Sequence, residues 1–233
     1  MLEIVSFTLG PAQTNAYLVA DSETKEAVVI DPAWDGHIIL AEAQKRGWRI
    51  GHLWYTHAHF DHIGGAGAIA DALNPLPLVA LHANDHVLWR AGGGGSLFGF
   101  DIDPGPEPTI DFVHGMKLRL GSTDFEVRFT PGHTTGHCIL YVSSADVCFC
   151  GDLIFAGSVG RTDLPGGNWE TLVKSIREQI YTLPDNTRLL SGHGPETTVG
   201  EEKLNNPFVC EGYYFSGGRN ETCDQHQSGE FVA

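Results

Sequence analysis

Hydrophobic positions along the chain fall into short runs rather than long stripes. Val5, Phe7 and Leu9 alternate with Ser6 and Thr8, the period-two pattern of a strand with one buried face. Similar runs predict strands over 16–19, 27–30, 52–55 and 78–81. A second series is predicted over 109–113, 117–120, 125–129, 138–142, 147–150 and 188–190, each bounded by turn residues. Between them, a helix is predicted from Asp35, read as its cap, to Arg46, with Gly47 as its stop. Further helices are predicted over 66–73, 83–90 and 199–204. Another starts at a capping Asn168 and carries Leu172, Val173, Ile176 and Ile180 on one face. Strands followed by a helix, twice over, predict two sheets packed face to face with helices outside. No linker divides 1–208, so one domain is expected there, followed by a polar tail over 209–233. Residues 91–108 mix six glycines, three prolines and two phenylalanines. They predict a long loop, either functional or a surface insertion without a role.

Composition narrows the class. The 233 residues are 42% hydrophobic and 18% charged, which suits a globular protein with a sizeable core. A net charge of -15, with no run of Lys and Arg, argues against nucleic acid as a partner. No segment approaches the roughly 20 apolar residues that span a bilayer, so no membrane association is expected. The N-terminus carries Glu3 and no basic stretch, and reads as a strand rather than a signal peptide. Cys148 and Cys150 flank Phe149 and so face one side of a strand. Together with the odd total of five cysteines, this leads to an expectation of reduced core cysteines in a cytoplasmic protein.

The histidines carry the chemistry. In "YTHAHFDHIGG", His57, His59, Asp61 and His62 fall within six residues just beyond a predicted strand. "TPGHTTGH" (His133, His137), "FCGDLIF" (Asp152) and "LLSGHGPET" (His193) repeat that placement, a donor where a strand ends and a glycine turn begins. Such junctions hold side chains firmly yet leave them open to a cleft. A structural histidine more often stands alone on an element face. Imidazoles and carboxylates without cysteine suit Zn, Fe or Mn better than a structural zinc site. The groups outnumber what one tetrahedral ion needs. Two ions sharing a bridging carboxylate would use them, and would activate a bridging water and polarise a carbonyl or phosphoryl oxygen. The donors follow a strand and lack the i, i+4 spacing of the helical H-E-x-x-H arrangement.

"THAHFDH" with "PGHTTGH", "GDLIFAGSVGRTDLPGG" and "SGHGPETT" resembles the metallo-β-lactamase superfamily. Within it, the chain looks most like short forms of the glyoxalase II (hydroxyacylglutathione hydrolase) branch, from "TNAYLV" to "NNPF". The resemblance implies an α+β fold, an αββα four-layer sandwich of two mixed β-sheets with helices on the outer faces. It puts His57, His59 and His133 on a first divalent ion, Asp61, His62 and His193 on a second, and Asp152 between them. Zinc is expected first, with iron or manganese as alternatives. His137 is not a ligand in this pattern, and a supporting role is expected of it. His52, His82, His86 and His114 match no ligand position, His37 is expected on the surface, and His226 lies in the tail.

The activity so implied is hydrolysis of a small-molecule acyl thioester, of the S-lactoylglutathione type, or a related ester. A metal-bridging hydroxide would attack the carbonyl, with Asp61 also orienting it or receiving its proton. His59 departs from the glutamate of flavodiiron enzymes, and Asp152 from the cysteine of class B1 β-lactamases. Persulfide dioxygenases resemble the chain at every ligand position, including "GRTD" over 160–163. They use one iron, which would sit on His57, His133 and Asp152, so that oxidation is the alternative activity. A promiscuous lactonase or esterase is a variant of the hydrolase. The added helical domain of full-length glyoxalase II is not expected in a chain of this length. Arg161 and Asp163 stand where the family has a lysine and a tyrosine. Arg161 is expected either to clamp a substrate carboxylate or to pair with a nearby one. Monomer and dimer both remain open.

Overall fold

The apolar runs pair into two six-stranded sheets. The structure, a computed structural model, describes residues 1–210. In the first sheet, β1 (Leu2–Leu9), β2 (Thr14–Asp21), β3 (Glu26–Ile30), β4 (Arg49–Trp54), β5 (Leu78–Leu81) and β6 (Ile110–Asp111) lie in chain order. β1 to β3 run antiparallel and β3 to β6 parallel. β7 (Lys117–Leu120), β8 (Thr123–Phe129), β9 (Cys138–Val142) and β10 (Val147–Gly151) form an antiparallel meander in the second sheet. A small ribbon of β11 (Ile154–Phe155) and β12 (Ser158–Val159) follows. β13 (Arg188–Ser191) then joins the second sheet parallel to β10, and β14 (Thr197–Thr198) closes it antiparallel.

Several strands are apolar at every position because both faces are covered. Along β2, Tyr17 and Val19 point between the sheets, while Ala16, Leu18 and Ala20 point outward to the first helical layer. Along β10, Val147 and Phe149 point between the sheets, while Cys148 and Cys150 point to the other helical layer. Tyr17 meets Phe149 edge-on at 5.3 Å, and Trp54 meets Phe125 at 5.1 Å, so aromatic rings fill the middle of the sandwich. Helix α1 (Gly36–Arg46), α2 (Phe60–Ile63), α3 (Ala66–Asp71) and α4 (His86–Arg90) belong to the first half. Ile39, Ala43 and Ile69 from α1 and α3 pack on the outer face of the first sheet. α5 (Trp169–Ser175) continues into a π-helical turn, Ile176–Ile180, before α6 (Val199–Asn205). Leu172, Val173, Ile176 and Ile180 cover the outer face of the second sheet, at roughly 1.5–3 kcal/mol for each fully buried aliphatic side chain. The result is the α+β, four-layer αββα sandwich of two mixed sheets that the sequence predicts.

Local details depart from the sequence reading. Asp35 precedes α1 with φ 48° and makes no side-chain capping bond, whereas Gly47 stops that helix as expected, with φ 68°. Asn168 does cap α5, accepting from the Thr171 N–H at 2.9 Å. The strand expected over 109–113 shrinks to Ile110–Asp111. The helix expected to reach residue 73 ends at Asp71. The glycine-rich stretch is not structureless throughout, since Gly92–Phe98 forms 3₁₀ turns separated by a kink at the left-handed Gly93 and Gly94. Cys138, Cys148 and Cys150 are free and buried. Cys210 is in a disulfide, which corrects the expectation of reduced cysteines at that position. The polar tail expected over 209–233 lies, beyond Cys210, outside the described residues, as does His226. Among the described residues no helix is long and apolar enough to cross a membrane.

Candidate metal centre

Four strand ends converge on one edge of the sandwich. β4 leads through Tyr55–His59 into α2, β8 ends before residues 130–137, and β10 and β13 end at Gly151 and Ser191. The two sheets are stitched together there. The Cys138 N–H donates to the Thr56 carbonyl at 2.8 Å, the Asn15 N–H to Gly192 at 2.7 Å, and the Tyr17 hydroxyl to Ser191 at 2.7 Å. Chain approach is so close that a Cβ on Gly192 would overlap Asp152 Oδ1, and one on Gly160 the Asp152 carbonyl. Only glycine fits beside the donors.

This edge brings together the seven residues expected from the sequence. His57, His59 and His133 offer one set of ring nitrogens within 4.8 Å of one another. Asp61, His62 and His193 offer a second set within the same limit. Asp152 lies between the sets. Its Oδ1 is 3.2 Å from His62 Nε2, and its Oδ2 is 3.4 Å from both His133 Nε2 and His193 Nε2. His193 Nε2 is also 3.3 Å from Asp61 Oδ2. Six of the seven are buried, and the Asp61 side chain is 13% exposed.

Hydrogen bonds behind the rings fix which nitrogen is left over. Thr56 donates its hydroxyl to Asp31 Oδ2 at 2.7 Å, so its oxygen accepts from His57 Nδ1 at 3.0 Å. His62 Nδ1 donates to Asp31 Oδ2 at 3.0 Å, and His133 Nδ1 to the Arg161 carbonyl at 2.7 Å. Each turns Nε2 toward the donor set, the usual arrangement behind a metal-ligating imidazole; His133 Nε2 there meets His59 Nδ1 at 2.8 Å and His62 Nε2 faces Asp152 Oδ1. His57 Nε2 is buried without a hydrogen-bond partner in the protein, while His62 Nε2 and Asp152 Oδ1, 3.2 Å apart, face each other. A buried polar atom left alone is costly, and one inside a set of converging donors fits a bound cation. Asp31, His57 and His62 also lie close enough to count as a cluster. Asp31 is already engaged by the Thr56 N–H, the Thr56 hydroxyl and His62, so it orients rather than coordinates.

His137 stays outside the donor set, as expected. Its Nε2 accepts from the Asp152 N–H at 3.1 Å and its Nδ1 meets Thr130 Oγ1 at 2.9 Å. It therefore holds the backbone of Asp152. The reading of residues alone had not picked out Asp31, Asp85 or Thr14. Asp85 is buried and accepts from the Ala58 N–H, the Gly136 N–H and the Thr134 hydroxyl, tying the first histidine loop to the second. Thr14 donates to Asp61 Oδ2 at 2.8 Å. The signal for the two acids was weak, a lone carboxylate at a strand end and another before a short helix. The other histidines stand apart. His86 lies 3.1 Å from Asp111, His82 stacks on Phe129 at 4.3 Å, His114 accepts from the Phe129 N–H, and His52 sits beside Trp54. His37 is exposed.

Charge inside the site is uneven. Burial holds His57, His59 and His133 below the ordinary imidazole range, helped at His57 and His59 by neighbouring rings, and brings His59 to about 3. Burial acts the same way on His62 and His193, but Asp152 and Asp61 outweigh it. His62 is raised well above 6.5 and His193 to about 10. Burial likewise opposes ionisation of Asp61 and Asp152, yet His62 and His193 hold both carboxyls below the ordinary range.

A cavity of about 630 Å³ opens over His59, Asp61, His133, Asp152 and His193. Leu88, Leu97, Phe98 and Phe100 with Phe60 form one part of its lining, and Pro11, Leu164 and Pro165 another. Arg161 also lines it, with its guanidinium held by both oxygens of Asp163 at 2.7 and 2.8 Å.

The Metallo-beta-lactamase superfamily profile matches residues 9–193. The probable metallo-hydrolase YqgX of Bacillus subtilis is 40% identical over 205 residues, covering 86% of this chain and 94% of that protein. Hydroxyacylglutathione hydrolase GloC of Haemophilus influenzae is 33% identical over 210 residues, covering 89% and 97%. The crystal structure of TTHA1623 in a di-iron-bound form superposes with a TM-score of 0.80 at 38% identity, covering 88% of this chain and 100% of that one.

Proposed function

The chain belongs to the Metallo-beta-lactamase superfamily, and we propose that it is a two-metal hydrolase of acyl thioesters or related esters. The observation that carries this reading is the pair of donor triads meeting at Asp152, with a buried, unpartnered His57 Nε2 in the first of them. His57, His59 and His133 would hold one ion, Asp61, His62 and His193 the other, and Asp152 both. When bound, such a pair lowers the pKa of a shared water and polarises a carbonyl oxygen. Zinc, iron and manganese all suit these ligands, and the di-iron form of a similar protein makes iron a natural occupant beside zinc.

The chain's own residues do the rest. His137 and Asp31 set the angles at which Asp152, His57 and His62 present their donors. Thr14 fixes one oxygen of Asp61. That carboxylate lines the cavity and stays ionised, so it can accept the proton released as water adds to the carbonyl. The cavity walls exclude bulk water and leave the acyl group facing the donors. Arg161 lines the same space at its charged end. The molecule acted upon is small, and S-lactoylglutathione, the type suggested by the motifs, is one test substrate. Metal content per chain and turnover together test the proposal. Two ions with hydrolysis of acyl thioesters support it. One iron per chain with oxygen uptake on glutathione persulfide, and no hydrolysis, replaces it with the oxidation expected of a mononuclear site.

A further inference from the structure

The cavity above the donors is walled by apolar side chains that nothing in the catalytic step requires. Phe60 stacks between Phe98 at 5.2 Å and Phe100 at 5.4 Å, and Trp34 meets Phe60 and Phe100 edge-on from behind. This wall is built rather than incidental. Gly93 packs so tightly on the Phe60 backbone that a Cβ would overlap it. The glycine-rich 3₁₀ turn is thereby pinned to the histidine loop and presents its aromatic and aliphatic side chains to the cavity. Leu97 and Phe98 are nevertheless 72% and 48% exposed. Large apolar groups held open beside a cavity mark a surface that gains by being covered.

Charge points the same way. Arg161 is the one Lys or Arg among the described residues lining the cavity. Its guanidinium is satisfied bidentately by Asp163, whose carboxyl that contact holds down at about 2. Among the described residues the mouth therefore offers a neutral pair and no unpaired Lys or Arg. A glutathione moiety carries two carboxylates. Bringing one against this wall would remove its hydration without supplying a partner.

We propose, resting on the hydrolase reading above, that the substrates are uncharged acyl thioesters or esters with an alkyl or aryl acyl group. The aromatic wall seats that group, and glutathione conjugates are disfavoured. A volume of about 630 Å³ falls in the usual range for small-molecule sites, roughly 300–1,000 Å³.

Binding of non-hydrolysable probes to the metal-loaded full chain tests this apart from turnover. S-butyl, S-hexyl and S-octyl thioethers of N-acetylcysteamine are titrated by calorimetry, with S-hexylglutathione as the charged counterpart. The dissociation constant is expected to tighten roughly three- to fourfold per added methylene. The neutral hexyl probe is expected to bind at least about tenfold tighter than S-hexylglutathione, which is the scale of one uncompensated charge. Phe98→Ala and Leu97→Ala should each flatten the chain-length slope. Asp163→Asn should free Arg161 and improve S-hexylglutathione binding while leaving the neutral probes alone. A flat slope, or tighter binding of the glutathione conjugate, overturns the proposal even if thioesters are hydrolysed. A normal slope in a two-metal protein that hydrolyses no thioester or ester upholds the ligand class and sinks the hydrolase reading instead.

Discussion

The two donor triads flank the same carboxylate and hold protons in opposite ways. Around His57, His59 and His133, burial is the largest influence and favours the neutral ring, so His59 falls to about 3. Around His62 and His193 burial is just as adverse to charge, but Asp152 and Asp61 overcome it and His193 rises to about 10. Side chains of one type, a few ångströms apart, are thus in different states because carboxylates outweigh burial only at His62 and His193. In the metal-free chain a cation meets lone pairs at the first triad and protons at the second. The first triad is ready to bind, whereas the second must release protons to do so.

The largest effect should come from the residue the triads share. Asp152→Ala removes a carboxylate that lies within 3.4 Å of His62, His133 and His193. Metal content should fall at both triads, and hydrolysis by on the order of 10³-fold or more, the several kcal/mol that metal activation supplies. Elemental analysis beside turnover checks it. A variant that kept two ions and full activity would end the two-metal proposal.

Asp31→Asn should come next. Asp31 accepts from Thr56, which supports His57, and from His62 directly, so it reaches one member of each triad, His57 through Thr56. Its backbone φ is 48°, a left-handed conformation that asparagine also tolerates, so the substitution isolates the side chain. The amide must set an N–H against one of those donors. Loss of a supporting contact of this kind costs about 10- to 100-fold in metal affinity, and here both ions should weaken. Competition with a chelator would measure it, and loss confined to one ion would contradict the shared role of Asp31.

Acidity should separate the triads. Affinity at the second is expected to rise about tenfold per pH unit for each proton displaced, and to depend on pH less steeply at the first. The metal-free chain should behave inversely. The folded value of His193 is raised from 6.5 to about 10, so its ion pairs stabilise the fold fully below pH 6.5 and are lost as pH climbs toward 10. Thermal unfolding of the stripped protein should therefore soften over the pH range in which metal binding strengthens. Equal pH slopes at the two sites, read by titration in buffers of different ionisation enthalpy, would defeat this account.

The same asymmetry explains what the sequence could reveal. His57, His59, Asp61 and His62 are legible together because one strand-end loop carries all four. His133, Asp152 and His193 depend on parallel pairing of β10 with β13 and on the stitching of the two sheets, which no local pattern encodes. Their shared placement, where a strand ends and a glycine turn begins, marks them as donors, and the motif resemblance divides them between two ions. The αββα layers are legible because apolar runs with both faces covered leave a strong signal. α2 is not, since four residues, Phe60–Ile63, give no periodicity to detect. Asp31 and Asp85 escape for a different reason. Each is marked by burial and by the donors converging on it, and either could pass in the chain for a turn or cap residue. The 3₁₀ turn at Gly92–Phe98 is hidden by its own glycines, whose low helical propensity reads as loop. Close packing against Phe60 selects glycine at 93 and 95, and positive φ at 92 to 94.

The finest test uses supports that belong to one triad each. Thr14 donates only to Asp61, a member of the second triad. Thr14→Val keeps the shape and removes one hydrogen bond to a charged group, roughly 1.5–3 kcal/mol where water is excluded. Thr14 is buried but its partner Asp61 is 13% exposed, so the change should loosen the second ion by about tenfold or less and leave the first unchanged. Asp85 is the mirror image. It holds the Ala58 N–H between His57 and His59, and the Thr134 hydroxyl next to His133. Asp85→Asn should therefore weaken the first ion and spare the second. Sequential metal titration of the two variants gives opposite signatures if the triads are supported independently. If each variant instead loses both ions in parallel, Asp152 couples the triads so tightly that the site binds its pair as one unit.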